Sequence, residues 1–292
     1  MAPIPAPRDS GFTRSTPFPL YWAKYGPAGA PQLLVLHGGP GAHHDYLLPQ
    51  MLELADTYEL VFYDQRGGGR SKTDSRDVIT TQTQVDDLAL VASELTAGPL
   101  TLLGYSWGGL LALLFQVSGL RSQVSRLVLV SPASISAAHR RQFEATFAAR
   151  QTAPWVAAER DALAQSGLRE RDPEAHRQRA FELSVAGYFA HPERAHDLTP
   201  FRVTSRVQQS IWDSLGDYDL AAALRAHHIP AIIIHGREDP IPLESSQQLA
   251  EVLGARLVVL DDCGHVPYVE RPAPMFDAIR GFLEQPAPRA AE

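Results

Sequence analysis

The sequence predicts an α/β protein: a mostly parallel, doubly wound sheet carrying an inserted helical segment. Three observations lead there. Short, continuously apolar runs recur along the chain, the pattern of parallel strands covered on both faces. Helix-length stretches alternate with them, which implies strand–helix–strand crossovers of the usual right hand. Between 133 and 220 no strand signal occurs, and the sheet pattern then resumes.

The elements fall in order. "QLLVLHGG" (Gln32–Gly39) is a short apolar run ending in glycines, and "YELVFYDQRG" (Tyr58–Gly67) is a second. "LTLLGYS" from Leu100 is the third and "VSRLVLVSP" (Val124–Pro132) the fourth. "IPAIIIHG" (Ile229–Gly236) and "ARLVVLDDCGH" (Ala255–His265) follow the interruption. Helical patterns occupy 44–55, 81–97, 107–119, 243–253 and 273–284. Within 133–220, Phe143 and Phe147 are spaced i,i+4, and Val203, Val207 and Ile211 recur at helical spacing. Asp172-Pro173-Glu174 reads as a helix start with proline at the first helical position. The expected organisation is one sheet domain from residues 1–132 and 221–292, with a helical cap at 133–220. A second independent domain is the alternative, and the resumed sheet pattern disfavours it.

The chain has 292 residues, 45% of them hydrophobic, enough for one large core. Its net charge is −7 with mixed signs, and no basic stripe points to nucleic acid or to an anionic membrane surface. The single cysteine, Cys263, cannot form an intramolecular disulfide and fits a reducing compartment. "MAPIPAPRDSGFTRS" lacks the apolar region of a signal peptide, so a cytoplasmic location is expected. Its prolines predict a loose lead-in, and those of "EQPAPRAAE" a frayed tail. The stretch Leu100–Leu120 has no charge and is long enough to pass for a membrane span. Gly-Tyr-Ser-Trp-Gly-Gly at its centre is poor helix material, so a strand, a tight turn and a helix are expected instead.

That turn carries the chemistry. Gly104-x-Ser106-x-Gly108 matches a nucleophile elbow, in which a serine sits on a sharp strand-to-helix turn. Glycines two residues away leave room for the crossing chain, and the helix N-terminus favours developing negative charge. The competing reading is a glycine-rich packing turn. Ser106 needs a base and an orienting acid. His265 follows the last predicted strand and Asp239 the one before it, so both fall on loops at the edge that bears Ser106. His235 precedes the acid in the chain, and His227 and His228 end a surface helix. Asp261 and Asp262 adjoin His265 too closely to orient it. "LHGGPG" (Leu36–Gly41) ends the first apolar run, and the N–H groups of Gly39 and Trp107 are the expected oxyanion donors. His43-His44-Asp45 resembles a metal cluster only superficially, since adjacent histidines point apart and no third ligand suggests itself.

The motifs "HGGPG", "DQRGGGRS" (Asp64–Ser71), "GYSWGG", "GRED" and "GHVPYVERP" stand in an order that resembles the α/β-hydrolase fold. Within it the chain looks like the proline iminopeptidase-like serine hydrolases, over nearly the whole sheet portion and weakly over the cap. The resemblance implies a triad of Ser106, Asp239 and His265, with Gly39 and Trp107 at the oxyanion positions. It implies release of an N-terminal residue, often proline, from a short peptide. Two departures stand out. Tyr105 occupies a position where the peptidases commonly have glycine, which would change the pocket wall. The aminopeptidases hold the substrate amine with cap carboxylates. Here Glu144, Glu159, Glu170, Glu174, Glu182, Glu193, Asp213 and Asp217 are available, most of them in Arg-rich helical stretches.

The expected pocket residues are Gly38, Tyr105, Trp212 and Asp213, with "SIWDSLGDYDL" (Ser210–Leu220) the leading cap region and core packing its competing role. The expected reaction is two-step serine hydrolysis needing no metal or organic cofactor. Its partner is a small molecule or short peptide. A histidine base works only when neutral, so the rate should rise with pH through the ordinary imidazole range, about 6–7. A carboxylesterase or lactonase is the first alternative, and a low-turnover small-molecule binding protein the second. Asp in place of Ser106 would mark an epoxide hydrolase or dehalogenase. Glu270 is expected to fix the loop after His265, and Cys263 to be a small core residue. The sequence leaves the oligomeric state open.

Overall fold

The structure, a computed structural model, describes residues 4–74, 76–120 and 124–285. One sheet is built from β1 (Asp9–Phe12), β2 (Tyr21–Tyr25), β3 (Gln32–Leu36), β4 (Glu59–Tyr63), β5 (Leu100–Tyr105), β6 (Val124–Val130), β7 (Ala231–Gly236) and β8 (Arg256–Leu260). Their spatial order is β1-β2-β4-β3-β5-β6-β7-β8. The strands from β4 across to β8 run parallel, whereas β1 and β2 are antiparallel additions at one edge. All six apolar runs are strands. β3, β4 and β6 end before the glycines and polar residues of their motifs, whereas β5 runs to Tyr105 and β7 to Gly236; the residues that follow become loops at the carboxyl edge.

The central strands are apolar throughout because both faces are covered. On β5, Leu102 pairs with Leu34 of β3 and Leu127 of β6, and all three are buried. Leu100 and Leu102 join one apolar layer, while Leu103 and Tyr105 join the other. Burying a side chain of leucine size stabilises by about 1.5–3 kcal/mol, so these layers dominate the folding energy.

Helices α1 (Thr81–Leu95) and α2 (Trp107–Val117) cover one face, and α1 begins at a reciprocal Thr80–Thr83 capping box. The chain then runs through α3 (Ala137–Gln151), α4 (Pro154–Gln165), α5 (Leu168–Arg171) and α6 (Pro173–Val185). Asp172 caps α6 by accepting the Ala175 N–H at 3.0 Å, with Pro173 at the first helical position as expected. Two 3₁₀ turns, Ala186–Tyr188 and Pro192–Asp197, precede α7 (Ser205–Leu215) and α8 (Ala221–Arg225). The last elements are α9 (Leu243–Leu253), α10 (Pro267–Glu270) and α11 (Pro272–Leu283). Outgoing and returning chains meet where Ala137 N–H donates to Tyr218 O and Leu220 N–H to Ile135 O.

Two expectations need correction. The N-terminal lead-in is not loose throughout: Asp9–Phe12 forms an edge strand on β2. Its residues are polar or exposed, so it has no apolar signature to read. The single helix expected over 44–55 is instead two 3₁₀ turns, His44–Leu47 and Gln50–Asp56, with Pro49 between them. Proline has no N–H to continue a helical ladder. Helix α7 docks on α1: the Thr81 hydroxyl donates to Ile211 O at 3.0 Å and the Thr81 N–H to Ser214 Oγ at 2.8 Å. The tail beyond Gln285 lies outside the described residues. Among those described, no helix is long and apolar enough to cross a membrane. The charge-free stretch from Leu100 is β5, a turn and α2.

Candidate active site

Ser106 has φ 53° and ψ −119°, a conformation that costs a non-glycine residue about 1–3 kcal/mol. The surroundings enforce it. Its N–H donates to Val130 O at 3.0 Å, and its carbonyl accepts from Ala133 and Gly109, both at 2.9 Å. The flanking glycines are obligatory. A Cβ on Gly104 would lie 2.5 Å from the Gly108 carbonyl oxygen, and one on Gly108 2.0 Å from that of Leu36. The turn thus lifts Ser106 above the sheet edge at the N-terminus of α2.

Asp239 follows β7 and His265 follows β8, which brings both to that edge. His265 Nε2 lies 2.9 Å from Ser106 Oγ, and its Nδ1 lies 2.9 and 3.1 Å from the Asp239 oxygens. A buried carboxylate accepts, so Nδ1 carries the proton and Nε2 is left to accept from the serine hydroxyl. Burial pushes the Asp239 carboxyl up. The charge and hydrogen bond of His265 and the Ile241 N–H more than offset this, and the carboxyl is held below its ordinary value. The competing groups sit elsewhere. His235 is buried against Ser246 Oγ and Ile241 O, and Asp261 pairs with Arg237 at the surface. Cys263 is fully buried, and burial pushes its thiol up.

His265 is held on every side. Its N–H donates to Tyr188 O at 2.6 Å, and the Tyr105 hydroxyl donates to its carbonyl at 3.0 Å. The Tyr188 ring stacks on the imidazole at 5.1 Å, with Phe143 at 6.5 Å and Phe147 behind Tyr188 at 4.3 Å. Glu270 Oε2 accepts from Gly264 N–H at 2.7 Å, and Oε1 accepts from Ala190 and His191. It therefore ties the residue before His265 to the helical segment. Sequence reasoning missed Tyr188, which carries no motif. The i,i+4 spacing of Phe143 and Phe147 was its nearest signal.

The expected pocket residues divide. Gly38 abuts Ser106, since a Cβ there would lie 2.8 Å from Ser106 Cβ, but its N–H already donates to the Tyr46 hydroxyl at 2.6 Å. Tyr105 is 5% exposed and packs behind His265 on Tyr46 and Tyr268, so it is a support rather than a pocket wall. The period-2 pattern of β5, which puts Tyr105 with Leu103, was the available signal. Trp212 packs edge-on against Trp107 at 5.2 Å, beneath the Arg140 guanidinium. Asp213 is not brought to the site: it is exposed and accepts from Gln209 at 2.7 Å, one turn away on α7. Helical geometry turns it outward because Val207 and Ile211 face the core. Among the described residues, no acceptor in the chain takes the N–H of Gly39 or of Trp107. Nor does any group of three or more His, Cys, Asp or Glu side chains there form a metal-binding cluster.

A profile of the alpha/beta hydrolase family matches residues 33–278. A proline iminopeptidase of Lactobacillus crispatus is 26% identical over 275 residues, covering 87% of this chain and 90% of that one. The crystal structure of a proline iminopeptidase from Mycobacterium smegmatis superposes with a TM-score of 0.67 at 23% identity, covering 95% of this chain and 98% of that one. An esterase from Exiguobacterium antarcticum superposes equally well, with a TM-score of 0.68 at 21% identity over 92% of this chain and 96% of that one.

Proposed function

The chain belongs to the alpha/beta hydrolase family, and on that premise we propose that it is a serine hydrolase of the proline iminopeptidase type. The observation that carries this reading is the continuous hydrogen-bonded line from Ser106 Oγ through His265 to Asp239. Ser106 attacks the substrate carbonyl carbon as His265 Nε2 takes its proton. Asp239 orients the ring and stabilises the imidazolium. The Gly39 and Trp107 N–H groups receive the oxyanion. The leaving amine takes the proton from His265, and water then repeats the sequence on the acyl-enzyme.

The substrate assigned is a short peptide that loses its N-terminal residue, proline preferred. Phe143, Phe147 and Tyr188 offer an apolar wall beside His265 that suits a pyrrolidine ring. Glu144 is the carboxylate proposed for the substrate amine. It adjoins Phe143 on α3, lies three residues before Phe147, and is half exposed. Ester or lactone hydrolysis is the second reading, and one observation favours it. Glu144 already bonds Arg140 at 2.9 Å, while Glu159 and Glu182 share Arg179.

Amino-acyl arylamides with free and blocked amines, assayed beside short acyl esters, separate the two. Turnover of Pro-arylamide that disappears on N-acylation, with KM raised about tenfold by Glu144→Gln, supports the peptidase; tenfold corresponds to losing one modest charge-assisted contact. Turnover of esters alone would sink it.

A further inference from the structure

We infer that Gln65 is a positioning residue of the oxyanion hole, holding the loop that carries Gly39 and the indole of Trp107 at a set spacing. This rests on the reading of Gly39 and Trp107 as the oxyanion donors. Gln65 directly follows Asp64 at the end of β4 and is 1% exposed. Its side-chain Nε2 donates to the His37 carbonyl at 2.8 Å, and its Oε1 accepts from Trp107 Nε1 at 2.8 Å. One amide thus spans the two segments that supply the donors. The assignment of its ends is forced, because reversing the amide would set donor against donor and acceptor against acceptor.

The backbone of Gln65 completes the device. Its N–H donates to His37 Nε2 at 3.0 Å. Burial lowers the His37 pKa to about 4, so the ring is neutral and Nδ1 carries its proton. That Nδ1–H donates to Gly38 O at 2.9 Å. The Gly38 carbonyl and the Gly39 N–H belong to one planar peptide, so fixing one end aims the other. On the far side, the Tyr46 hydroxyl accepts the Gly38 N–H. Glycines at 38 and 39 give this loop no rigidity of its own. Its orientation is imposed by His37, Tyr46 and Gln65. A donor misaimed by a few tenths of an ångström stabilises the transition state less while leaving substrate binding nearly intact, so the effect falls on kcat.

The test compares Gln65→Leu, Trp107→Phe and the double variant, assayed on p-nitrophenyl acetate and on Pro-p-nitroanilide. Each single variant should lower kcat about 10–100-fold with KM within about twofold, less than deletion of a whole oxyanion donor. The double variant should be scarcely worse than Gln65→Leu, because both changes break one link. Affinity for phenylboronic acid, which forms a tetrahedral adduct on the serine, should fall in parallel with kcat. Unchanged kcat in folded Gln65→Leu, or additive losses in the double variant, overturns the inference. If Gln65→Leu fails to fold, Trp107→Phe decides alone, since it keeps an aromatic ring in the core while removing the indole N–H together with part of the ring system. Ser106→Ala, run in parallel, separates this from failure of the serine-hydrolase reading: turnover surviving there defeats that reading whatever Gln65 does.

Discussion

Among the described residues there are two buried histidine–aspartate pairs, and one of the two faces a serine. His265 Nδ1 meets Asp239 at 2.9 Å; His44 Nδ1 meets Asp64 at 2.6 Å. In both pairs the carboxylate is fully buried and held below its ordinary value. Burial opposes the charge of Asp64, but the hydrogen bond and charge of His44 and the Arg70 N–H outweigh it. The difference lies at the other ring nitrogen. His265 Nε2 reaches Ser106 on its strained turn. His44 Nε2 lies 3.2 Å from Asp45, and its ring is stacked between Tyr21 and Phe62 with no solvent exposure. Arg70 closes that second cluster by gripping Asp45 with two hydrogen bonds. With no hydroxyl at its second ring nitrogen, the His44–Asp64 pair has nothing to deprotonate. The second pair instead anchors the chain leaving the "HGGPG" loop, since the His44 N–H also donates to Asp64.

The sharpest way to break this contrast is at Ser106. Ser106→Ala should lower kcat by on the order of 10⁴–10⁶ and abolish labelling by a fluorophosphonate probe. Full labelling of the variant would mean another residue is the nucleophile. Next come the two aspartates. Asp239→Asn should cost about 10⁴ in kcat by stabilising the wrong imidazole tautomer, with little loss of stability. Asp64→Asn should do the reverse: about 2–4 kcal/mol less stability by urea unfolding, and kcat within about tenfold. Equal kcat losses for both would erase the distinction between the two pairs.

A third buried histidine gives the smallest effect. His37 is fully buried, and burial lowers its pKa from 6.5 to about 4. The unfolded chain takes up this proton first as pH falls. The stability tied to the neutral ring is therefore complete above about pH 6.5 and is lost as pH drops towards 4, on the order of 3 kcal/mol in all. Asp64 and Asp239, held low, keep their charge through most of this window. The urea midpoint should fall between pH 7 and pH 4.5. A midpoint unchanged over that range would show that His37 is not neutral by burial.

The elements readable from sequence were those whose signal is local and apolar. Six strands were legible because each is a continuous apolar run, as in "AIIIHG" of β7. β1 was not, because an edge strand of Asp-Ser-Gly-Phe buries almost nothing. The Ser-His-Asp set was legible because each member follows a predicted strand at one sheet edge, and chain order excluded His235. The placement of Tyr105 and Asp213 was not legible for one reason: motif position says nothing about which way a side chain turns. Strand alternation sends Tyr105 behind His265, and helical phase sends Asp213 to solvent.

From the sequence alone came the alternating α/β order, the tight turn at Ser106 and the acid and histidine loops that follow it. These depend on apolar runs, glycines and their spacing, which neighbouring residues determine. The tertiary structure decided what surrounds the site. Tyr188 stacked on His265, Glu270 joining Gly264 to Ala190, and Gln65 bridging His37 to Trp107 are contacts between residues far apart in the chain. No local pattern encodes such contacts, because they exist only once the sheet has brought its loops to one edge.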